Sequence, residues 1–130
     1  MQDSIFTKII KGEIPCHKIY EDEHTFAFLD IHPLNAGHTL LIPKTQVDSL
    51  WDLPDQDYAH IWQVAKKIQQ RIQDLMQPPR VGVVVEGFGV PHAHIHIMPL
   101  YHGEDIKKHQ DLSANPDHAA LAELAKKLAF

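Results

Sequence analysis

Residues 92–98 read His-Ala-His-Ile-His-Ile-Met, so three histidines recur at i, i+2 and i+4 with Ala93, Ile95 and Ile97 threaded between them. Alternation with period two is the pattern of a half-buried β-strand, whose successive side chains leave opposite faces. One face is then apolar and the other carries three imidazoles. Histidine is an average strand former, so neither packing nor propensity accounts for three on one face. Imidazole titrates near neutrality, and neighbouring rings can hold different protonation states, one as nucleophile and another as proton donor.

Two chemistries suit such a row. In the first, imidazoles bind a metal. At about 3.3 Å per residue the backbones of His92 and His96 stand roughly 13 Å apart, whereas each ligating nitrogen must lie about 2.0–2.1 Å from zinc. Three ligands cannot converge from one regular strand, so a metal site would need two of them and a further ligand such as His38 or His102. The expectation is therefore of no metal and no cofactor. In the second, the row works on phosphorus: histidine can form a covalent phosphoramidate that water later cleaves, while imidazolium and loop amides stabilise the phosphoryl oxygens.

The elements that must hold this row can be read from the rest of the chain. Asp3 is a possible cap for a short helix in which Phe6, Ile9 and Ile10 share a face, with Gly12 at its end. Ile19-Tyr20 and Thr25–Asp30 read as a hairpin around the turn at residues 21–24, and His38–Pro43 follows as a third strand after a loop containing Pro33, Asn35 and Gly37. Pro54 and the acidic Asp52, Asp55 and Asp57 open a long helix over 55–76, with Ile61, Val64, Ile68, Ile72 and Leu75 at helical spacing and Pro78-Pro79 beyond it. Val81–Glu86 is a β-branched strand, and the five residues Gly87–Pro91 allow only an antiparallel return into 92–98. Asn115-Pro116 caps a final helix through Leu121, Leu124, Ala125 and Leu128. This order predicts an α+β fold: an antiparallel five-stranded sheet with a short N-terminal helix, a long central helix and a C-terminal helix, the helices packed on one face.

The 130 residues suit a single domain, 44% hydrophobic and 22% charged, as ordinary globular chains are. A formal charge of −5, with Lys and Arg scattered, disfavours long nucleic acid but not a small anionic ligand. Cys16 is the one cysteine, and no apolar run is long enough to span a bilayer, so neither a disulfide nor a membrane is expected and a cytoplasmic location fits. Of the eleven histidines, His17, His24, His60, His109 and His118 read as dispersed surface positions.

The run 92–98 closely resembles the motif of the histidine triad (HIT) superfamily, His-φ-His-φ-His-φ-φ with φ apolar, Ala93 being a small φ. Ile5–Pro15, Phe26–Asp30 and Gly37–Lys44 are similar to the family's N-terminal half in the same order. The likeness covers about residues 4–100 and leaves 101–130 as a C-terminal extension.

The resemblance implies a purine nucleotide or nucleotide conjugate as partner, and hydrolysis or transfer at its α-phosphate. His94 is the implied nucleophile, carrying the nucleotidyl group until water removes it. His92 and His96 flank it, with His96 on phosphate oxygens, and His38 matches the family's fourth histidine. Asp30 matches the residue that accepts hydrogen bonds from the ribose hydroxyls. Phe6, Ile9, Phe28, Leu29 and Ile31 match positions lining the base pocket, core packing being the competing explanation for each. A homodimer through the long helix and an edge strand is implied too, with Trp62 as a contact or a core residue. Phe88-Gly89 replaces the family's usual Gln-Ser or Gln-Thr pair, Val85 replaces an Asn, and Thr7 stands where zinc-bearing relatives have Cys. Amides of Gly89 or Val90 can substitute for the lost phosphate contacts. A nucleotide-binding regulatory module with little catalysis and a metal-dependent histidine enzyme stay open as alternatives.

Overall fold

All five residues of β2 (Thr25–Leu29) and of β3 (Thr39–Pro43) are buried, as are the first five of β5 (Ile95–Leu100). Strands buried on both faces need cover on both faces. The computed structural model, which describes residues 2–130, has an antiparallel five-stranded sheet ordered β1-β2-β3-β5-β4, with β1 over Lys18–Glu21 and β4 over Arg80–Val84. On one face Ala27, Leu29, Leu41, Ile95 and Ile97 pack with α2 (Asp55–Met76) and α3 (His118–Leu128). On the other, Phe26, Phe28, Leu40 and Ile42 meet Phe6 and Ile9 of α1 (Ile5–Ile10). The helices therefore divide between the two faces, which corrects the expectation of one covered face. Each large aliphatic side chain fully buried in this way contributes about 1.5–3 kcal/mol.

Helix α2 has the bounds its periodicity predicts. Asp55 and Asp57 sit in its first turn, where the dipole favours them, and Gln77 ends it in the left-handed region at φ 53° ahead of Pro78. Ile61, Val64, Ile68 and Ile72 point into the core, and Trp62 packs half-buried against it. The caps of the two shorter helices differ from expectation. The Ser4 hydroxyl, not Asp3, accepts from the Thr7 N–H at 3.0 Å, and Asp3 instead pairs with Lys11. Asp117, not Asn115, caps α3 through the Ala120 N–H.

The histidine strand is shorter than its alternation suggests. Pro91 has no N–H to give, and Ala93 donates to the Val47 carbonyl at 2.7 Å outside the sheet ladder. Extended pairing starts at Ile95, so His92 and His94 lie in the connection that begins after Val84, and only His96 of the three is within the strand. The segment is buried throughout 92–99, not half-buried. Among the described residues no helix is long and apolar enough to cross a membrane.

Candidate active site

His94 is held by its own chain. Its Nδ1 lies 2.7 Å from the His92 carbonyl oxygen. A carbonyl only accepts, so Nδ1 carries the proton and the neutral ring leaves a lone pair on Nε2. Among the described residues Nε2 has no hydrogen-bond partner. An imidazole fixed in this tautomer presents a lone pair whose direction one hydrogen bond sets.

His96 is fixed in the opposite tautomer by a relay. The Leu34 N–H donates to His38 Nδ1 at 3.0 Å, which puts the His38 proton on Nε2. That Nε2 stands 2.9 Å from His96 Nδ1 and must donate to it. The His96 proton is thereby forced onto Nε2, the free edge of the ring. Both rings are buried, at 2% and 8% exposure. Burial, then the proximity of His38 and His94, pushes His96 down to about 4. Burial also lowers His38, against the pull of Asp30, whose Oδ2 is 3.7 Å away. The pair is neutral at physiological pH, so it can offer a hydrogen-bond donor but no cationic charge.

His92 is different. Its Nε2 donates to the Pro43 carbonyl at 2.8 Å, and its Nδ1 accepts from the Ser4 hydroxyl at 2.7 Å. Ser4 in turn takes the Thr7 N–H. Both ring nitrogens are satisfied, the side chain is 0% exposed, and burial lowers its pKa. The ring ties α1 to the end of β3 and presents its own backbone carbonyl to His94.

A cavity of about 520 Å³ opens on the α1 face of the sheet. Phe6, Ile9, Phe28, Leu29 and Ile31 line it on the apolar side, and Asp30, Gly89, Val90, His94 and His96 border it elsewhere. Phe6 meets Phe28 and His94 edge-on, at 5.7 and 5.1 Å between centroids. Leu29 borders the cavity but is 1% exposed and belongs to the core on the α2 face. His92 and His38 stand outside the lining, behind His94 and His96. Ten of the twelve residues expected at a site thus meet around one volume.

Metal ligation fits poorly. Asp30, His38 and His96 bring one ligand atom each within 4.8 Å of one another, as do Glu86, His94 and His96. Both sets require His96, whose Nδ1 is taken by His38 and whose Nε2 holds the proton. Reversing that tautomer would set a His38 N–H against the Leu34 N–H. His102, the other candidate ligand, is exposed and joins neither group.

The family model described as the HIT domain matches residues 11–103. The chain belongs to the HIT family. Protein hit of Bacillus subtilis is 39% identical over 105 residues, covering 77% of this chain and 72% of that protein. An adenosine 5'-monophosphoramidase of Schizosaccharomyces pombe is 39% identical over 97 residues, covering 73% and 72%. Among solved structures, a HIT-like protein of Bartonella henselae involved in cell-cycle regulation superposes with a TM-score of 0.81 at 31% identity over 97% of this chain and 94% of that one.

The HIT motif pointed to the row and its apolar pocket, but not to every group around them. Glu86 borders the cavity beside His94 and His96, and Gln110 and Leu112 reach it from the C-terminal extension. Nothing in the sequence marks the last two, because they arrive from an irregular segment with no period of its own. Phe88, in place of the HIT glutamine, is 92% exposed and turned to solvent. Among the histidines read as dispersed, His17 meets His118 at 3.0 Å and His60 meets Asp22 at 2.8 Å.

Proposed function

We propose that this HIT protein is a nucleotide hydrolase or nucleotidyltransferase that cleaves an α-phosphate bond of a nucleotide conjugate, a nucleoside phosphoramidate or a dinucleoside polyphosphate. The observation that carries the reading is the tautomer pair at the cavity wall: a lone pair on His94 Nε2 beside a donor on His96 Nε2. The phosphoramidase named among the relatives supports the phosphoramidate class.

In the first step the His94 Nε2 lone pair forms a bond to the α-phosphorus, and the bond to the leaving group breaks with its electron pair. The imidazolium so formed keeps its Nδ1 proton on the His92 carbonyl. His96 Nε2–H donates to a phosphoryl oxygen as charge gathers there. Water then adds to phosphorus as the N–P bond breaks and its electron pair returns to Nε2. One proton of the water goes to the expelled leaving group, so conjugate and water become a nucleoside monophosphate and the protonated leaving group. The base lies between Phe6, Ile9 and Phe28, and the ribose hydroxyls meet Asp30. His92 and His38 act behind these groups as positioning residues. Val85 and Phe88 contribute no polar side chain, so the Gly89 and Val90 amides serve the phosphate.

The protein is proposed to work as a homodimer. Strand β4 is a sheet edge with Val83 42% exposed, which suits continuation of the sheet into a second copy.

The test is a panel of phosphoramidates, dinucleoside polyphosphates and nucleotide sugars compared by kcat/KM, with mass spectrometry of quenched enzyme. One nucleotidyl group on His94 during turnover is expected, absent from His94→Ala. Turnover that survives in that variant overturns the mechanism. Micromolar nucleotide binding without turnover on any conjugate identifies a regulatory module instead.

A further inference from the structure

Asp30 follows β2 at the cavity wall, 8% exposed, and both of its oxygens are engaged. Oδ1 accepts the His32 N–H at 2.9 Å. Oδ2 accepts from Gln110 Nε2 at 2.7 Å, and the same amide nitrogen donates its second hydrogen to the His32 carbonyl at 2.8 Å. Gln110 lies between the 3-10 turn Gly103–Lys107 and α3. Among the described residues, these two bonds are the only hydrogen bonds that join residues 109–114 to the rest of the chain; the others there run within the segment, from Ser113 and Ala114 to Asp111. Leu112 borders the same cavity while 72% exposed. One side-chain amide therefore tethers a strap across the polar end of the cavity.

The acceptors it fills are a carboxylate oxygen and a neighbouring carbonyl oxygen, engaged by two hydrogens on one –NH₂ group. The vicinal diol of a ribose offers the same number of donors from adjacent carbons. We propose that Gln110 stands in for the ribose: nucleotide binding exchanges the Gln110 amide for the 2′- and 3′-hydroxyls and releases the strap, which makes Gln110 an internal competitor that moderates the site's preference for sugars that carry both hydroxyls. The proposal rests on the nucleotide reading of the cavity. A ligand without hydroxyls has nothing to exchange and leaves Gln110 in its place.

Gln110 is half-buried and outside the core, so Gln110→Ala leaves the fold intact, which circular dichroism verifies. Calorimetry with AMP and with 2′,3′-dideoxy-AMP separates the possibilities. Removing a competing hydrogen bond to a charged group is expected to tighten AMP about three- to tenfold and to leave the dideoxy ligand within about twofold. In the ¹⁵N-labelled protein, the side-chain amide resonances that vanish in Gln110→Ala are expected to shift with AMP and to stay put with the dideoxy ligand. AMP binding that weakens or does not change in the variant, or equal tightening of both ligands, overturns the exchange. Wild-type protein that binds neither ligand overturns the nucleotide reading and the exchange with it. Wild-type protein that binds AMP, with a variant that binds it no more tightly, overturns the exchange alone.

Discussion

His92 and His96 flank His94 at equal distance in the sequence, are equally apolar in their neighbours, and are both buried, yet they are built into the molecule in opposite ways. At His92 both nitrogens end on protein, Ser4 on one side and Pro43 on the other. At His96 one nitrogen ends on His38 and the other is left facing the cavity. The difference comes from the backbone. Before Ile95 the chain is out of the sheet and turned towards α1, and from Ile95 onward the pairing Leu40↔His96 sets the side chain on the cavity face. Residue type is therefore a poor guide to role within the motif. The count of protein partners on each ring separates scaffold from chemistry.

The comparison can be broken at its centre first. His94→Ala is expected to lower kcat by a factor on the order of 10⁴ or more, as loss of a nucleophile does, while nucleotide affinity and melting temperature change little. His92→Ala is expected to do the reverse in kind. It leaves the Pro43 carbonyl and the Ser4 hydroxyl without their partner and opens a void under α1, at a cost of about 3 kcal/mol, or roughly 10 °C in Tm. Urea melts read the first quantity and scanning calorimetry the second. A His92→Ala protein that melts normally but has lost all turnover would place His92 with His96 and dissolve the distinction.

Much of this is legible in the sequence, and what is not has physical causes. The bounds of α2 follow from a 3.6-residue period sustained over six turns, with acid at one end and proline at the other. The apolar pocket around Phe6, Ile9 and Phe28 is implied by the resemblance to the HIT family, whereas their spacing on α1 and β2 fits core packing equally well. The extent of the histidine strand does not follow from alternation. Ala93 satisfies its N–H on Val47, a partner far away in sequence, and that choice removes His92 and His94 from the ladder. The need for cover on two faces is legible, since β2 and β3 are apolar on both sides, but which helix takes which face is not, because period two gives no direction when every residue is buried. Gln110 was silent because its role depends on meeting Asp30 across 80 positions.

A smaller test uses acid. His38, His92 and His96 all sit below the ordinary histidine value in the folded protein, His96 at about 4. The unfolded chain takes up these protons from about pH 6.5. Between those limits the unfolded state binds more protons, so stability falls as pH drops from about 6.5 towards 4 and is level above that range. For His96 the loss is on the order of 2–3 kcal/mol. Urea midpoints at a series of pH values measure it. His96→Asn is expected to flatten part of the slope and His92→Asn a separate part, because the two rings share no hydrogen bond. Slopes that do not add would mean the two sides of the motif titrate as one unit.

The finest test concerns His38, which stands outside the cavity lining and can influence chemistry only through His96. In His38→Ala the His96 Nδ1 loses its donor, and the ring becomes free to carry its proton on either nitrogen. Where Nδ1 holds it, the edge facing the phosphate is a lone pair, which repels a phosphoryl oxygen instead of donating to it. The expected result is a fall in kcat of about tenfold to a hundredfold with KM little changed, since the apolar pocket and Asp30 are untouched. The single-turnover rate of adduct formation on His94 should fall by the same factor, because the nucleophile keeps its tautomer through the His92 carbonyl but loses the donor that stabilises charge on the phosphoryl group. An unchanged kcat would mean that His96 keeps its proton on Nε2 without His38, and the relay from Leu34 would then be structure rather than mechanism.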